Sequence, residues 1–415
     1  MKILIVSTFD QEGGAARAAH RLHSGLLSEN IESQMLVQHR EKDDLLINGP
    51  ETLYERITAK IRHRLERFPQ KLKKKRTKTY FSYCNPPFSK SVINQINRIK
   101  PDIVHLHWIG CGMINLELLK YINAPIVWTL HDNWAFTGGC HTMWDCTRYQ
   151  SICGMCHVLH SNSKKDVSTH QFNKKLNALK NINSLTIIAL SHWLADCAKK
   201  SLILNKKKII CLPNPIDTQK FKPIDKKVAR NLCQLPENKK LILSGAIGID
   251  HDPNKGYEHF FKAIEKLNIQ DTEIVLTGTL KQDSRLSKFF KCHYMGRLTD
   301  DISLIALYNS CDIMVVPSIQ ENLSNSIMES LSCGTPVVGF DIGGNSDMVD
   351  HMQNGYLANP YNTDDFASGI NWVLDKSVYS NDLNNNARIK VVNNFDQKSV
   401  IKKYIQIYKS LGTTI

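Results

Sequence analysis

Two carboxylates carry the first chemical signal. In the stretch 312–344, DIMVVPSIQENLSNSIMESLSCGTPVVGFDIGG, Glu321 and Glu329 are separated by seven intervening residues, after a strand-like run that closes at Pro317 and Ser318. A helix is expected to start near Leu323 and to end at Gly334, with another strand behind it and Gly343-Gly344 closing that strand. The spacing puts Glu321 just before the helix N-terminus and Glu329 about two turns inward. Unpaired amides of the first turn, near Leu323, Ser324 and Asn325, form an anion site. Adjacent ribose hydroxyls, a diphosphate and a sugar would match these groups, because the acids accept from hydroxyls while amides and a cation face phosphate. The competing reading makes Glu321 a helix cap and Glu329 a surface residue. The order Pro-Ser, two glutamates and a double glycine favours the first.

A second cluster consists of Cys140, Cys146, Cys153 and Cys156, with His141 and His157 adjoining. The terminal C-x2-C is a metal knuckle, and four thiolates would complete a tetrahedral zinc site. The looser first spacing also admits a set of reduced thiols in a packed loop, one pair oxidised at times. Four protein ligands leave no open position, so such a zinc would be structural. His105 and His107 read as satisfied histidines at a strand end, with substrate contact the alternative. His131, followed by Asp132 at the end of its own strand, reads as a substrate contact first.

The positive charge is also localised. Eleven Lys and Arg fall within residues 56–78 against the single acid Glu66, most of the chain's net +14. Ile57, Ile61, Leu65, Phe68 and Leu72 recur at helical spacing, giving one apolar stripe flanked by cations. Pro69 is expected to kink or divide this helix. Three partners compete: the stripe's own domain, an anionic lipid surface, and nucleic acid. No aromatic interleaving or nucleic-acid module accompanies the cations, so no nucleic-acid partner is expected.

These residues need a scaffold, and 415 residues with 42% apolar and 22% charged side chains supply one, excluding a mainly disordered, fibrous or membrane-spanning chain. The opening MKILIV turns polar too soon for a secretory signal, so a cytoplasmic chain whose twelve cysteines are thiols or metal ligands is expected. A strand at 2–8, a loop at 10–14 and a helix at 15–27 begin the chain. Gly13-Gly14 between them lets amides approach an anion, although such a pair often only makes a turn and lacks the G-x-G-x-x-G pattern. Strands follow at 102–107, 125–130 and 185–190. A Lys- and Pro-rich stretch around 205–223 precedes a second series at 240–245, 273–277, 313–317 and 336–340. Two such alternations predict an α/β protein of two doubly wound, Rossmann-like sheets facing across a cleft. Residues 399–411 read as a terminal packing helix.

The 312–344 stretch resembles the E-x7-E region of family 4 retaining glycosyltransferases of the GT-B fold. Other pieces match in order: GGAARAA from Gly13, PDIVHLHW from Pro101, LPNPIDTQKF from Leu212, NKG from Asn254 and MGRL from Met295. HDNWAFTGGC from His131 is similar to the subgroup that builds colanic acid and other bacterial surface polysaccharides. The resemblance implies that Glu329 holds the ribose, Glu321 contacts and orients the donor sugar, and Lys255 neutralises the diphosphate. Amides at Gly14, Leu323 and Ser324 would assist, and His131 would sit beside the reacting sugar. The basic partner usual near Ala246 is missing, because Gly245-Ala246-Ile247-Gly248 has no arginine; either Lys255 works with fewer cations, or Arg297 or another residue compensates.

The implied domains are an acceptor-binding unit at 1–205, with the basic helix 56–78 and the Cys-rich loop 138–160, a linker at 206–223, a nucleotide-sugar unit at 224–395, and the packing helix at 396–415. The implied reaction is metal-independent transfer, with retention, of a hexose-type unit from a UDP- or GDP-sugar to a polyprenyl-diphosphate-linked oligosaccharide. It would take place in exopolysaccharide, capsule or O-antigen assembly at the inner face of the cytoplasmic membrane. A nucleotide-sugar epimerase on the same scaffold and a non-catalytic basic adaptor are the alternatives.

Overall fold

β1 (Lys2–Phe9) carries Ile3, Leu4, Ile5 and Val6, all fully buried, the signature of a parallel strand covered on both faces. A computed structural model describes residues 1–412 other than 42, 72–79, 246–251, 268, 279–281, 283 and 380. The basic run at 72–78 and the departure at 246–248 therefore lie outside the described residues. Around β1 assemble β2 (Glu32–His39), β3 (Ile47–Asn48), β4 (Ile103–Leu106), β5 (Ile126–Leu130), β6 (Leu185–Ala189) and β7 (Lys208–Cys211). Their order is β3-β2-β1-β4-β5-β6-β7, every pairing parallel.

The second sheet comprises β8 (Lys240–Gly245), β9 (Thr272–Thr277), β10 (Cys292–Tyr294), β11 (Ile313–Val316), β12 (Val337–Phe340) and β13 (Gly355–Ala358). It is also parallel, in the order β10-β9-β8-β11-β12-β13. In both sheets the order reverses beside the first strand, between β1 and β4 and between β8 and β11. Loops leaving the carboxyl ends of such a pair diverge and leave a crevice for ligand.

The chain divides into two compact units, Met1–Pro215 with Lys398–Ile415, and Ile216–Gln397. The stretch 206–223, expected to be a linker, contains an edge strand: residues 208–211 pair with residues 186–189, while Lys207 Nζ donates to the Ile182 carbonyl at 2.8 Å. The helix Gln397–Gly412 returns to the first sheet. Val400, Ile401, Tyr404 and Tyr408 are fully buried there against Ile3, Ile5, Val37 and Ile103. Full burial of each such side chain contributes about 1.5–3 kcal/mol, enough to hold a helix that comes back from the far end of the chain. The helix Leu53–Lys71 is not divided at Pro69.

Candidate active site

In the second unit the loop after β11 is clamped from two sides. Asn254, in the loop after β8, accepts from Ile319 N at 2.9 Å and donates through Nδ2 to the Gln320 carbonyl at 2.8 Å. Gly344 N donates to the Glu321 carbonyl at 3.1 Å. Two glycines at positive φ permit this closure. A Cβ on Gly256 (φ 66°) would stand 1.8 Å from the Pro317 carbonyl oxygen, and one on Gly343 (φ 54°) 1.8 Å from that of Glu321.

The clamped loop presents Glu321, whose Oε1 accepts from Ser318 Oγ at 2.8 Å and from Lys255 Nζ at 3.0 Å. Both partners keep some contact with solvent, 15% of the Glu321 and 27% of the Lys255 side chain. The Glu321 charge holds the Lys255 ammonium above its ordinary range, so a cation stands at the switch point throughout the neutral range. Leu323 and Ser324 follow, both buried, with Ser324 as N-cap of the helix Asn325–Ser332. Ser324 Oγ pairs with Ser326 Oγ at 2.9 Å, and no side chain caps the helix. Glu329 is only 3% exposed, and its Oε2 accepts from Tyr308 OH at 2.8 Å. Glu321 is therefore no helix cap, and Glu329 is no surface residue. Arg297 is exposed on the loop after β10, two strands from β8.

The first unit places different chemistry at its own switch point. Gly13 (φ 88°) caps α1 (Gly14–Ser28), whose first turn holds no acid and no side-chain cap. His131, half-buried after β5, meets His107 with 2.9 Å between its Nε2 and His107 Nδ1. His105 is satisfied at both nitrogens, by Tyr408 OH at 2.6 Å and Thr129 Oγ1 at 2.7 Å. Burial pulls His131 down to about 4 and His105 to about 3, and drives His107 well below its ordinary range. These imidazoles are neutral near pH 7. Asp132 accepts from His141 Nδ1 at 2.7 Å, Trp108 Nε1 at 3.1 Å and Trp134 N at 2.8 Å. Sequence reasoning did not assign His141, Trp108, Ser318 or Tyr308. His141, Ser318 and Trp108 carried a signal, as neighbours of residues already singled out, and Tyr308 carried none.

None of the twelve cysteines is in a disulfide. Burial pushes Cys140 and Cys153 up to about 12 and raises Cys156, and mutual repulsion within the group of four with Cys146 adds to it. Fully buried Lys175 lies close enough to Cys140 and Cys153 to feel them. It donates to the Trp134 carbonyl, and its Nζ sits 4.1 Å from the centre of the Trp134 ring. Four cysteine sulfurs in one loop fit the donor chemistry of zinc. Among the described residues, however, no three of these sulfurs lie within 4.8 Å of one another.

Comparison with known proteins places this geometry. The fold matches sucrose-phosphate synthase from Thermosynechococcus elongatus over the whole of both chains, with a TM-score of 0.70 and 16% identity. It matches Anabaena HepE, solved with UDP-glucose, over 99% of this chain and 100% of that one, with a TM-score of 0.67 and 16% identity. An Escherichia coli UDP-Gal:α-D-GlcNAc-diphosphoundecaprenol α-1,3-galactosyltransferase is 24% identical over 331 residues, 77% of this chain and 78% of the relative. The model described as "Glycosyl transferases group 1" matches residues 230–390. With its two parallel Rossmann-like sheets, the molecule is a glycosyltransferase of the GT-B type. The model described as "Glycosyltransferase Family 4" matches residues 12–220, half of the chain, and the protein belongs to that family.

Proposed function

We propose that the chain transfers a hexose-type unit, with retention and without a catalytic metal, from a UDP- or GDP-sugar to a polyprenyl-diphosphate-linked oligosaccharide in bacterial surface-polysaccharide assembly. The observation that carries this reading is the Lys255–Glu321 pair on its clamped loop at the β8/β11 switch point, with Glu329 buried along the same helix. Lys255 Nζ would turn to the diphosphate as the donor enters, a charge-assisted contact. The amides near Leu323 and Ser324 would help, with Gly14 and Arg297 as further donors. Glu321 would then be free to accept from a sugar hydroxyl, and Glu329 from the ribose.

The acceptor oxygen would attack the anomeric carbon on the face the diphosphate leaves. The bond from that carbon to the phosphate oxygen breaks, and the departing diphosphate takes the acceptor proton. No enzyme nucleophile is needed, and positioning and charge stabilisation carry the rate. His131, neutral and half-buried, would hydrogen-bond the reacting sugar rather than add charge. The Escherichia coli relative acts on a diphosphoundecaprenol acceptor, and HepE was solved with UDP-glucose; both support the substrate classes. A panel of UDP- and GDP-sugars with a lipid-linked acceptor, scored by released nucleotide and by product anomer, tests the reading. Inverted product, or turnover that needs acceptor-independent sugar conversion, overturns it.

The cysteine loop is proposed to hold a structural zinc, with Lys175 offsetting the net negative charge of four thiolates. Metal analysis of the purified chain beside a Cys153→Ser/Cys156→Ser variant tests this. One equivalent of zinc lost in the variant is the expected result, and metal-free wild-type protein overturns it.

A further inference from the structure

Ser82, His141 and Asp132 stand in one hydrogen-bonded row. Ser82 Oγ lies 2.9 Å from His141 Nε2, and His141 Nδ1 lies 2.7 Å from Asp132 Oδ2. An ionised carboxylate only accepts, so Nδ1 donates and, in the neutral ring, Nε2 accepts from the serine hydroxyl. This is the order of a nucleophile triad, but its serine end is sealed. Ser82 is 1% exposed and His141 8%, whereas the Asp132 side chain keeps 25%. The row therefore opens at the carboxylate. Its far end is pinned: Ser82 N donates to the Gly139 carbonyl at 2.8 Å, and Trp134 Nε1 donates to the Ser82 carbonyl at 3.0 Å.

A carboxylate offers about four acceptor positions. At Asp132 those on Oδ2 are filled by His141 Nδ1 and Trp108 Nε1, and one on Oδ1 by Trp134 N. Among the described residues no donor takes the second position of Oδ1, and no Lys or Arg pairs with the charge. Such a group accepts from a neutral hydroxyl and repels phosphate. Its surroundings are aromatic: Trp108 is half-buried, and Tyr80, 42% exposed, has its ring centre 6.3 Å from that of Trp108. Rings beside one placed polar group suit a pyranose, which has a C–H face and hydroxyls at its edge.

We propose that Asp132 is a specificity-determining contact for the acceptor, accepting at Oδ1 from a non-attacking hydroxyl of its terminal sugar, and that His141 and Ser82 are positioning residues behind it. The inference rests on the transferase reading above, with His131, one residue earlier, beside the reacting sugar.

The full chain is assayed for nucleotide release with UDP- and GDP-sugars and decyl-diphosphate-linked hexoses and N-acetylhexosamines, each beside its monodeoxy analogues. One deoxy position other than the attacking hydroxyl should lower wild-type kcat/KM for acceptor about 10–100-fold, the scale of a hydrogen bond to a charged group. Asp132→Asn should cost a similar factor, because its amide oxygen is claimed by His141 and Trp108 and its NH2 turns to the sugar. On that same deoxy acceptor the variant should lose less than about threefold further, the non-additivity of two groups in contact. The donor KM should not change. His141→Ala should lower acceptor kcat/KM more than His141→Asn, whose amide can donate where Nδ1 does. Additive losses, an Asp132→Asn variant at the wild-type rate, or a wild type indifferent to every non-attacking deoxy position overturns the proposal. The wild-type series needs no variant, so it decides even if Asp132→Asn fails to fold. A wild type that releases no nucleotide with any of these acceptors overturns the transferase reading, and this inference with it.

Discussion

The two sheets share their strand order around the first strand and place different electrostatics at the ends of their central strands. Beside β8 and β11 stands an ion pair, Lys255–Glu321, still in touch with water. Beside β4 and β5 stand imidazoles that burial keeps uncharged. A leaving diphosphate needs a fixed cation, and an approaching hydroxyl needs neutral hydrogen-bond partners that do not raise the cost of desolvating it. Under the proposed function, the charged group in the second unit would serve the leaving group and the neutral group in the first unit the incoming hydroxyl.

The largest effect should come from the charged half. Lys255→Ala removes the cation proposed to meet the diphosphate and leaves the Glu321 side chain with Ser318, so kcat/KM should fall by about 10²–10³-fold. His131→Ala, in the neutral half, should cost less, on the order of 10-fold to 100-fold, since it removes one neutral hydrogen-bonding side chain. Initial rates of nucleotide release measure both. If His131→Ala proved more damaging than Lys255→Ala, the division of labour between the two edges would be reversed.

Next in size is the clamp. Gly256→Ala places a methyl group 1.8 Å from the Pro317 carbonyl oxygen, and backbone cannot retreat as a flexible side chain can. The Glu321 loop has to move, so activity should drop by about 10²-fold, the scale of a 1 Å misplacement, while the melting curve stays cooperative. Retained activity would show that Glu321 does not need this loop geometry.

The clamp also marks where the sequence stopped being informative. Glu321 and Glu329 were singled out because strand, loop and helix lie close along the chain, whereas Lys255, sixty-six residues from Glu321, was named only through the resemblance of its NKG motif. Tyr308, which holds Glu329, was not, since nothing in an apolar helix names which hydroxyl faces a carboxylate twenty-one residues on. β2 and β7 went unread for a related reason: mixed polarity in ESQMLVQH and exposed lysines around KIIC hide their sheet pairing. The period of the helix Leu53–Lys71 disclosed a stripe but not its direction. That direction, outward at Ile57, Ile61 and Leu65, is set where buried Arg62 donates to Gln38, a partner twenty-four residues away.

Acid should separate the units next. His105, His107 and His131 have folded pKa values below the ordinary 6.5, so the unfolded chain binds more protons than the folded chain as pH falls through that range. Their contribution is fully present above pH 6.5. It declines by about 1.4 kcal/mol per pH unit for each histidine down to its folded pKa, near 4 for His131. Urea unfolding followed between pH 7 and pH 4.5 should show the first unit losing stability ahead of the second. His131→Gln should flatten that slope by about one proton.

The smallest effect should fall on a glycine that looks equivalent to Gly256 in sequence. Gly13 has φ 88° and ψ 166°, a region essentially reserved for glycine, yet a Cβ there meets nothing within 4 Å. Gly13→Ala therefore brings strain without collision, about 1–3 kcal/mol. The amides of Gly13 and Gly14 survive the change, so kcat/KM should move by less than about threefold while Tm drops by a few degrees. Scanning calorimetry beside the rate assay separates the two readouts. A Gly13→Ala variant as inactive as Gly256→Ala would mean that the first unit holds its anion-facing turn as tightly as the second holds its glutamate, and that the contrast between an open and a clamped edge is wrong.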